Sequence, residues 1–173
     1  MKEKKYSMSA PVCIAQAMIA MMEHTPIEDI HIKDLIKKAG VSRMSYYRYF
    51  SGKTDVLKFY LDYVLEEYFE TIDGKDGSVF QSYEHVLEAL KFFYRHRDLF
   101  LCLHRAGMSG IVLDALNRYT ERQSGFVHGE VEKAYPLYYY AGAIFNVYMQ
   151  WILQGAKETP EKVARLITDI YEK

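Results

Sequence analysis

Apolar positions recur at helical rather than alternating spacing along almost the whole chain. In residues 7–24, Val12, Ile14, Ala15, Met18, Ile19 and Met22 keep that spacing. Thr25-Pro26 ends the run, because a residue before proline is pushed out of helical backbone. A short unit follows at 31–38, with Ile32, Leu35 and Ile36 facing inward. Gly40 can then supply a left-handed stop, and Ser42 a cap for the next helix. Ser51-Gly52 closes that helix after Phe50, and a long one runs from Lys53 to about Ile72. Residues 73–78, DGKDGS, make the clearest loop in the chain. Further helices are expected at 79–95, 97–105, 109–127, 135–155 and 160–172. Their breaks fall at Arg97-Asp98, 107–110, His128-Gly129 and Thr159-Pro160. No stretch alternates as a strand would, and no internal repeat is found. The pattern predicts an all-α protein of about nine helices.

Residues 32–53, IKDLIKKAGVSRMSYYRYFSGK, give that pattern a function class. Two short helices joined by a turn at Ala39-Gly40-Val41 make a helix-turn-helix, whose second helix enters the DNA major groove. Val41 and Phe50 bracket the second helix as apolar anchors. Between them, residues 42–49 are polar or amphipathic, with hydroxyls and guanidiniums able to reach phosphates and base edges. Charge supports this. The formal net charge is only -1, yet residues 1–60 hold ten Lys/Arg against six Asp/Glu, and the remainder twelve against seventeen. A basic first third fits a three-helix DNA-binding domain over 1–52, followed by a helical bundle over 53–173. Lys53 opens the long helix, where exposed amides also attract phosphate.

The stretch resembles the TetR family of bacterial transcriptional regulators, whose DNA-binding domain ends in a run like A-G-V-S-x-x-x-x-Y-x-x-F-x-x-K. Ala39-Gly40-Val41-Ser42, Tyr47, Phe50 and Lys53 all fall in place, and residues 26–30, PIEDI, are also similar to the family pattern. The resemblance covers about residues 8–57, and beyond them it is one of layout. It implies that Tyr47 and Lys53 grip the phosphate backbone and that Ser42 caps the recognition helix. Arg43, Met44, Ser45 and Tyr46 take the base-facing and flanking positions. Tyr49 and Lys33 complete the expected DNA-binding set, Lys33 with Lys37 and Lys38 mainly through their general field. Two positions depart from the pattern. His31 stands where the family has Thr as a helix cap, and Met44 where it often has Gly or Ala.

For the rest of the chain the resemblance implies a homodimer and a small effector. A single recognition helix reads few base pairs, so a two-fold dimer on double-stranded operator DNA is expected on physical grounds as well. Residues 135–155 are too apolar to be one-sided, and 160–172 place Val163, Leu166, Ile167, Ile170 and Tyr171 on one side. Both segments are expected at the dimer interface. Aromatic residues make up 15% of the chain, including 16 tyrosines, which suits a wide aromatic interior or a pocket. Candidates to line such a pocket are Tyr63, Tyr83, Phe92, Phe93, His96, Phe100, His104, Met108, Tyr119, Tyr139 and Asn146. Asn146, polar within an apolar helix, either lines the pocket or pairs across the dimer.

Other classes find no support. The six histidines show no H-x-x-x-H pair, and no nucleophile elbow, P-loop or dinucleotide motif is present. No catalytic residue, cofactor or metal site is therefore expected. Cys13 and Cys102 sit in apolar helical patterns without metal or redox spacing. No window reaches the roughly 18 uninterrupted apolar residues of a membrane span, and no signal-like apolar run follows residues 1–8, so a cytoplasmic location is expected. The expectation is a homodimeric repressor released from its operator by an effector. The alternative is a ligand-independent regulator or activator whose bundle docks another protein.

Overall fold

The computed structural model describes residues 9–72, 82–123 and 131–170. The residue 1–6 arm with Lys2, Lys4 and Lys5, the 73–78 loop, the His128-Gly129 break and Tyr171 lie outside them, as does the Tyr119 side chain. Among the described residues there are nine α-helices, one 3-10 turn and no strand. None of these helices is long and apolar enough to cross a membrane.

The chain forms two compact units. The first holds the chain to Val64 together with Asp98–Met108. Its helix α1 (Ala10–Met22) starts at a proline, which is pre-organised for a first turn, and is apolar nearly all round. Val12, Ile14, Ala15, Met18, Ile19 and Met22 are accordingly buried. After a 3-10 turn (Ile27–Asp29), α2 (Ile32–Ala39) and α3 (Arg43–Tyr49) pack against α1. Gly40 takes φ 67°, which lets its N–H reach Lys37 O and the Val41 N–H reach Ile36 O, satisfying the last carbonyls of α2. His31 makes no side-chain cap at the other end of α2. The first part of α4 (Lys53–Ile72) and most of α6 (Arg97–Arg105) complete the unit. There the Cys102 thiol approaches Ile19 O at 3.8 Å, and Arg105 donates to Met22 O and Glu23 O at 3.3 and 3.2 Å.

The second unit holds Leu65–Arg97 and the chain from Ser109 onward. Here α5 (Tyr83–Arg95) packs on α9 (Pro160–Thr168), and α7 (Ser109–Gln123) on α8 (Val131–Leu153). Ser82 caps α5 and Thr159 caps α9. Trp151 Nε1 donates to Glu158 O at 3.0 Å and ties down the turn between α8 and α9.

Two sequence expectations need correction here. Helix α8 begins at Val131, four residues before the expected start, and carries Pro136 inside it. The buried side of α9 is Val163, Ala164, Ile167 and Thr168, whereas Leu166 and Ile170 are exposed. Leu166 and Ile170 make a second apolar i, i+4 pair in the sequence, but α9 ends at Thr168, short of the expected 172, and only the Val163/Ile167 pair faces its own bundle.

Candidate nucleic-acid interface

Helix α3 is held from one side and open on the other. Ser42 accepts the Ser45 N–H at 3.0 Å, so a hydroxyl satisfies an amide that the helix start leaves free. The Ser42 hydroxyl also donates to Ser45 Oγ at 3.1 Å, which engages both serines in the cap. Four residues on, Tyr46 is completely buried, and Phe50 nearly so. Their rings meet at 5.8 Å, and Phe50 meets Phe59 of α4 at 5.5 Å. These two aromatics pin the helix to its unit. The outer side carries Arg43, Met44, Tyr47, Arg48 and Tyr49, all exposed. The Arg43 guanidinium lies 5.5 Å from the Tyr47 ring centre, a cation–π distance that groups one charge and one hydroxyl on a single turn.

Most of the expected DNA-binding set therefore shares one surface: Ser42, Arg43, Met44, Tyr47 and Tyr49 on α3, with Ser45 half-buried beside them. Lys33 is exposed on α2, as are Lys37 and Lys38. Tyr46 is a correction. Burial raises its hydroxyl pKa, with Tyr47 and Asp55 adding to the effect, and the side chain does not reach the surface. Its spacing was the missed signal, since a residue four before an apolar anchor shares that anchor's face. Arg48 was not among the expected contacts, yet it is exposed on the same helix.

Lys53 is placed differently from the expectation. Its Nζ donates to the carbonyls of Ile27, Glu28 and Ile30 at 2.5, 2.8 and 3.1 Å. All three ammonium protons thus have acceptors in the 3-10 turn and the residue after it, and a phosphate would have to displace them. In this structure Lys53 is a clasp between α4 and the segment leading into α2.

The expected effector residues are divided between the two units. Phe92, Phe93 and His96 come together in the second unit with Tyr68, His85 and Tyr148. Tyr68 Oη and His85 Nε2 are hydrogen-bonded at 3.2 Å, and Tyr148 Oη donates to Phe93 O at 2.8 Å. Burial pushes the His96 pKa down, Glu67 pulls it up and Arg95 lowers it further. Tyr83, also in this unit, lies beneath the Arg165 guanidinium at 5.5 Å. Tyr63, Phe100, His104 and Met108 belong to the first unit, with Phe100 buried and His104 exposed. Tyr139 and Asn146 are exposed on α8. A cleft of about 300 Å³ opens in the first unit between the end of α1, the 3-10 turn and Arg105-Ala106, and none of the expected effector residues lines it.

Comparison with known proteins fits this arrangement. Residues 81–173 match a TetR-type family model described as a transcriptional regulator C-terminal region. A search of curated protein sequences finds no match. Among solved structures, the chain is similar to the dihydroxyacetone kinase operon activator DhaS, at 16% identity and a TM-score of 0.66, with 93% of each chain covered. It is also similar to the fatty acid degradation regulator FadR from Bacillus halodurans, at 15% identity and a TM-score of 0.59. That likeness covers 98% of this chain and 96% of the other. At such identities the two structures speak for the fold alone. The family model spans more than half of the chain, and on that ground the protein belongs to the TetR family of transcriptional regulators.

Proposed function

We propose that the protein is a homodimeric repressor in which α3 of each subunit reads half of a two-fold operator, and which a small molecule releases from DNA. The observation that carries the DNA part is the division of α3. Tyr46 and Phe50 fix it from inside, while Arg43, Met44, Tyr47, Arg48 and Tyr49 remain uncovered. A surface helix with two guanidiniums, two phenols and a thioether has the groups that contact phosphates and base edges. The exposed lysines of α2 add field around it.

Pairing of two copies draws on α8 and α9. Tyr135, Tyr139, Val147 and Leu153 are exposed on α8, Leu166 on α9 and Ile170 just after it. Large apolar side chains grouped in this way mark a surface that another protein covers, and a second copy supplies the two-fold symmetry an operator needs. Asn146, exposed seven residues after Tyr139, supports a role in pairing rather than in a pocket. For the effector, the supporting feature is the aromatic cluster around the Tyr68–His85 hydrogen bond, which combines apolar walls with a few polar groups. A second reading, an activator whose second unit docks another protein, draws on DhaS being an operon activator and on ring spacings of 4.6–6.3 Å in that cluster.

The test begins with selection of bound fragments from genomic DNA, followed by fluorescence anisotropy at several salt concentrations. Binding that weakens steeply with salt, and more so for wild type than for Arg43→Ala, is the expected result. Salt-independent binding would remove the DNA reading. Sedimentation of wild type and Tyr139→Arg tests the dimer: a dimer that the substitution converts to monomer is expected, and an unchanged state would refute the interface.

A further inference from the structure

The exposed side of α3 has one member whose chemistry is unlike the rest. Met44, its second residue, is 76% exposed, the most exposed large apolar side chain among the described residues. Its neighbours in the first turn are engaged. The Ser42 and Ser45 hydroxyls bond each other and the Ser45 amide, and Arg43 lies over Tyr47. Among the described residues Met44 makes no such contact, and most of its side chain is open to solvent. Tyr47, three residues on and about half exposed, stands beside it on the same helix face.

A thioether has no proton to donate and is a weak acceptor, so Met44 cannot read a base through hydrogen bonds. It offers dispersion from a flexible, polarizable chain, and that needs an apolar partner. Among the unmodified bases, the major-groove edge presents one apolar group, the C5-methyl of thymine. We infer that Met44 is a specificity-determining residue that selects thymine, through its methyl group, in each operator half-site. The inference rests on the DNA-binding role proposed above and adds to it the chemical group that is read. Burying one methyl against the thioether corresponds to about fourfold in affinity for each half-site, taking roughly 0.8 kcal/mol per methyl-sized group.

The experiment uses an operator fragment selected by the full-length protein, in which each thymine is replaced singly by deoxyuridine. That base lacks only the methyl and keeps the same hydrogen-bonding edge. Affinities are measured for wild type, Met44→Ala and Met44→Leu. The expected result is one thymine per half-site whose replacement weakens wild type about fourfold, leaves Met44→Ala unaffected and still weakens Met44→Leu. Because Met44 is exposed, the variants should melt with wild type, which separates a contact from a folding defect. If Met44→Ala remains as sensitive as wild type to every replacement, the inference is overturned while sequence-specific DNA binding stands. If wild type binds no fragment in a salt-dependent way, the DNA-binding role itself fails, and this inference with it.

Discussion

Lys53 separates two ways of using the same charge. The family resemblance assigns it to a phosphate, whereas the structure places its ammonium on three carbonyls. Replacing it by Met keeps most of the apolar stem and removes the hydrogen bonds to Ile27, Glu28 and Ile30. Hydrogen bonds to charged groups contribute about 1.5–3 kcal/mol each, but simple addition overstates the loss here. The Glu28 bond is exposed, so water replaces it at little cost, while the Ile27 and Ile30 bonds are partly buried. Two partly buried carbonyls losing a charged donor give a loss of about 2–3 kcal/mol. For a chain of this length each kcal/mol lowers Tm by about 2–4 °C, so Lys53→Met should melt about 5–10 °C below wild type in a circular dichroism scan. The second measurement is anisotropy against salt, well below both melting temperatures. The slope of log K against log salt should equal that of wild type, because no phosphate contact has been lost. An unchanged Tm with a slope flattened by about 0.9 per subunit would refute the clasp and return Lys53 to the phosphate.

Three other predictions follow from buried groups. Tyr46→Phe should leave DNA affinity unchanged and raise stability by about 1 kcal/mol in urea titration, because it removes a buried hydroxyl that has no hydrogen-bond partner among the described residues; lost affinity at equal stability would contradict its inward placement. Burial, only partly offset by Arg105, pushes the Cys102 thiol up to about 11, so iodoacetamide at pH 8 should leave it unmodified in native protein and label it after unfolding, as read by peptide mass; rapid native labelling would disprove its packing in the first unit. His96, with its folded pKa held below 6.5, takes up a proton more readily when unfolded, so its contribution to stability is complete above 6.5 and is lost as pH falls from there toward the folded pKa. Urea midpoints between pH 7.5 and 5 should therefore fall less in His96→Gln than in wild type, and equal falls would remove His96 as the cause.

Legibility in the sequence followed the range of each interaction. The α2–α3 turn could be read because its determinants act within a few residues: Gly40 closes one helix and Ser42 opens the next. Which tyrosine of α3 points inward was harder, since every side chain from Arg43 to Tyr49 except Met44 is polar or amphipathic and seven residues give too few turns for a period to emerge. The Lys53 clasp could not be read at all. Its acceptors are backbone carbonyls 23–26 residues earlier, which carry no side-chain signature. The same holds for the residues of α6 in the first unit, whose contacts with α1 span 82–83 residues. On α9 the difficulty was excess signal, because Val163/Ile167 and Leu166/Ile170 are both apolar pairs at helical spacing. For the effector, composition announced many rings without saying where they gather, and the expected residues are divided between the two units.

The tyrosines show why that last ambiguity has a physical basis. A phenol has a large apolar ring and one polar tip, so it suits a core, a half-wet surface or a protein interface. The first two of these uses are seen in this fold. Tyr46 gives its ring to the core beneath α3, and Tyr68 and Tyr148 bury theirs while their hydroxyls find a histidine and a carbonyl. Tyr47 and Tyr49 face outward on α3, as do Tyr135 and Tyr139 on α8. Rings left half or more exposed contribute little to the isolated fold, since hydrophobic stabilisation scales with the area removed from water at roughly 25 cal/mol per Å². Their unrealised burial becomes available when something covers the surface. The two outward groups differ in what accompanies them. On α3 the rings stand among Arg43 and Arg48, which suits a polyanion; on α8 and α9 they stand with Val147, Leu153, Leu166 and Ile170, which suits an apolar partner of the same kind. A phenol count alone cannot separate these uses, whereas the charge of the neighbours on each exposed face can.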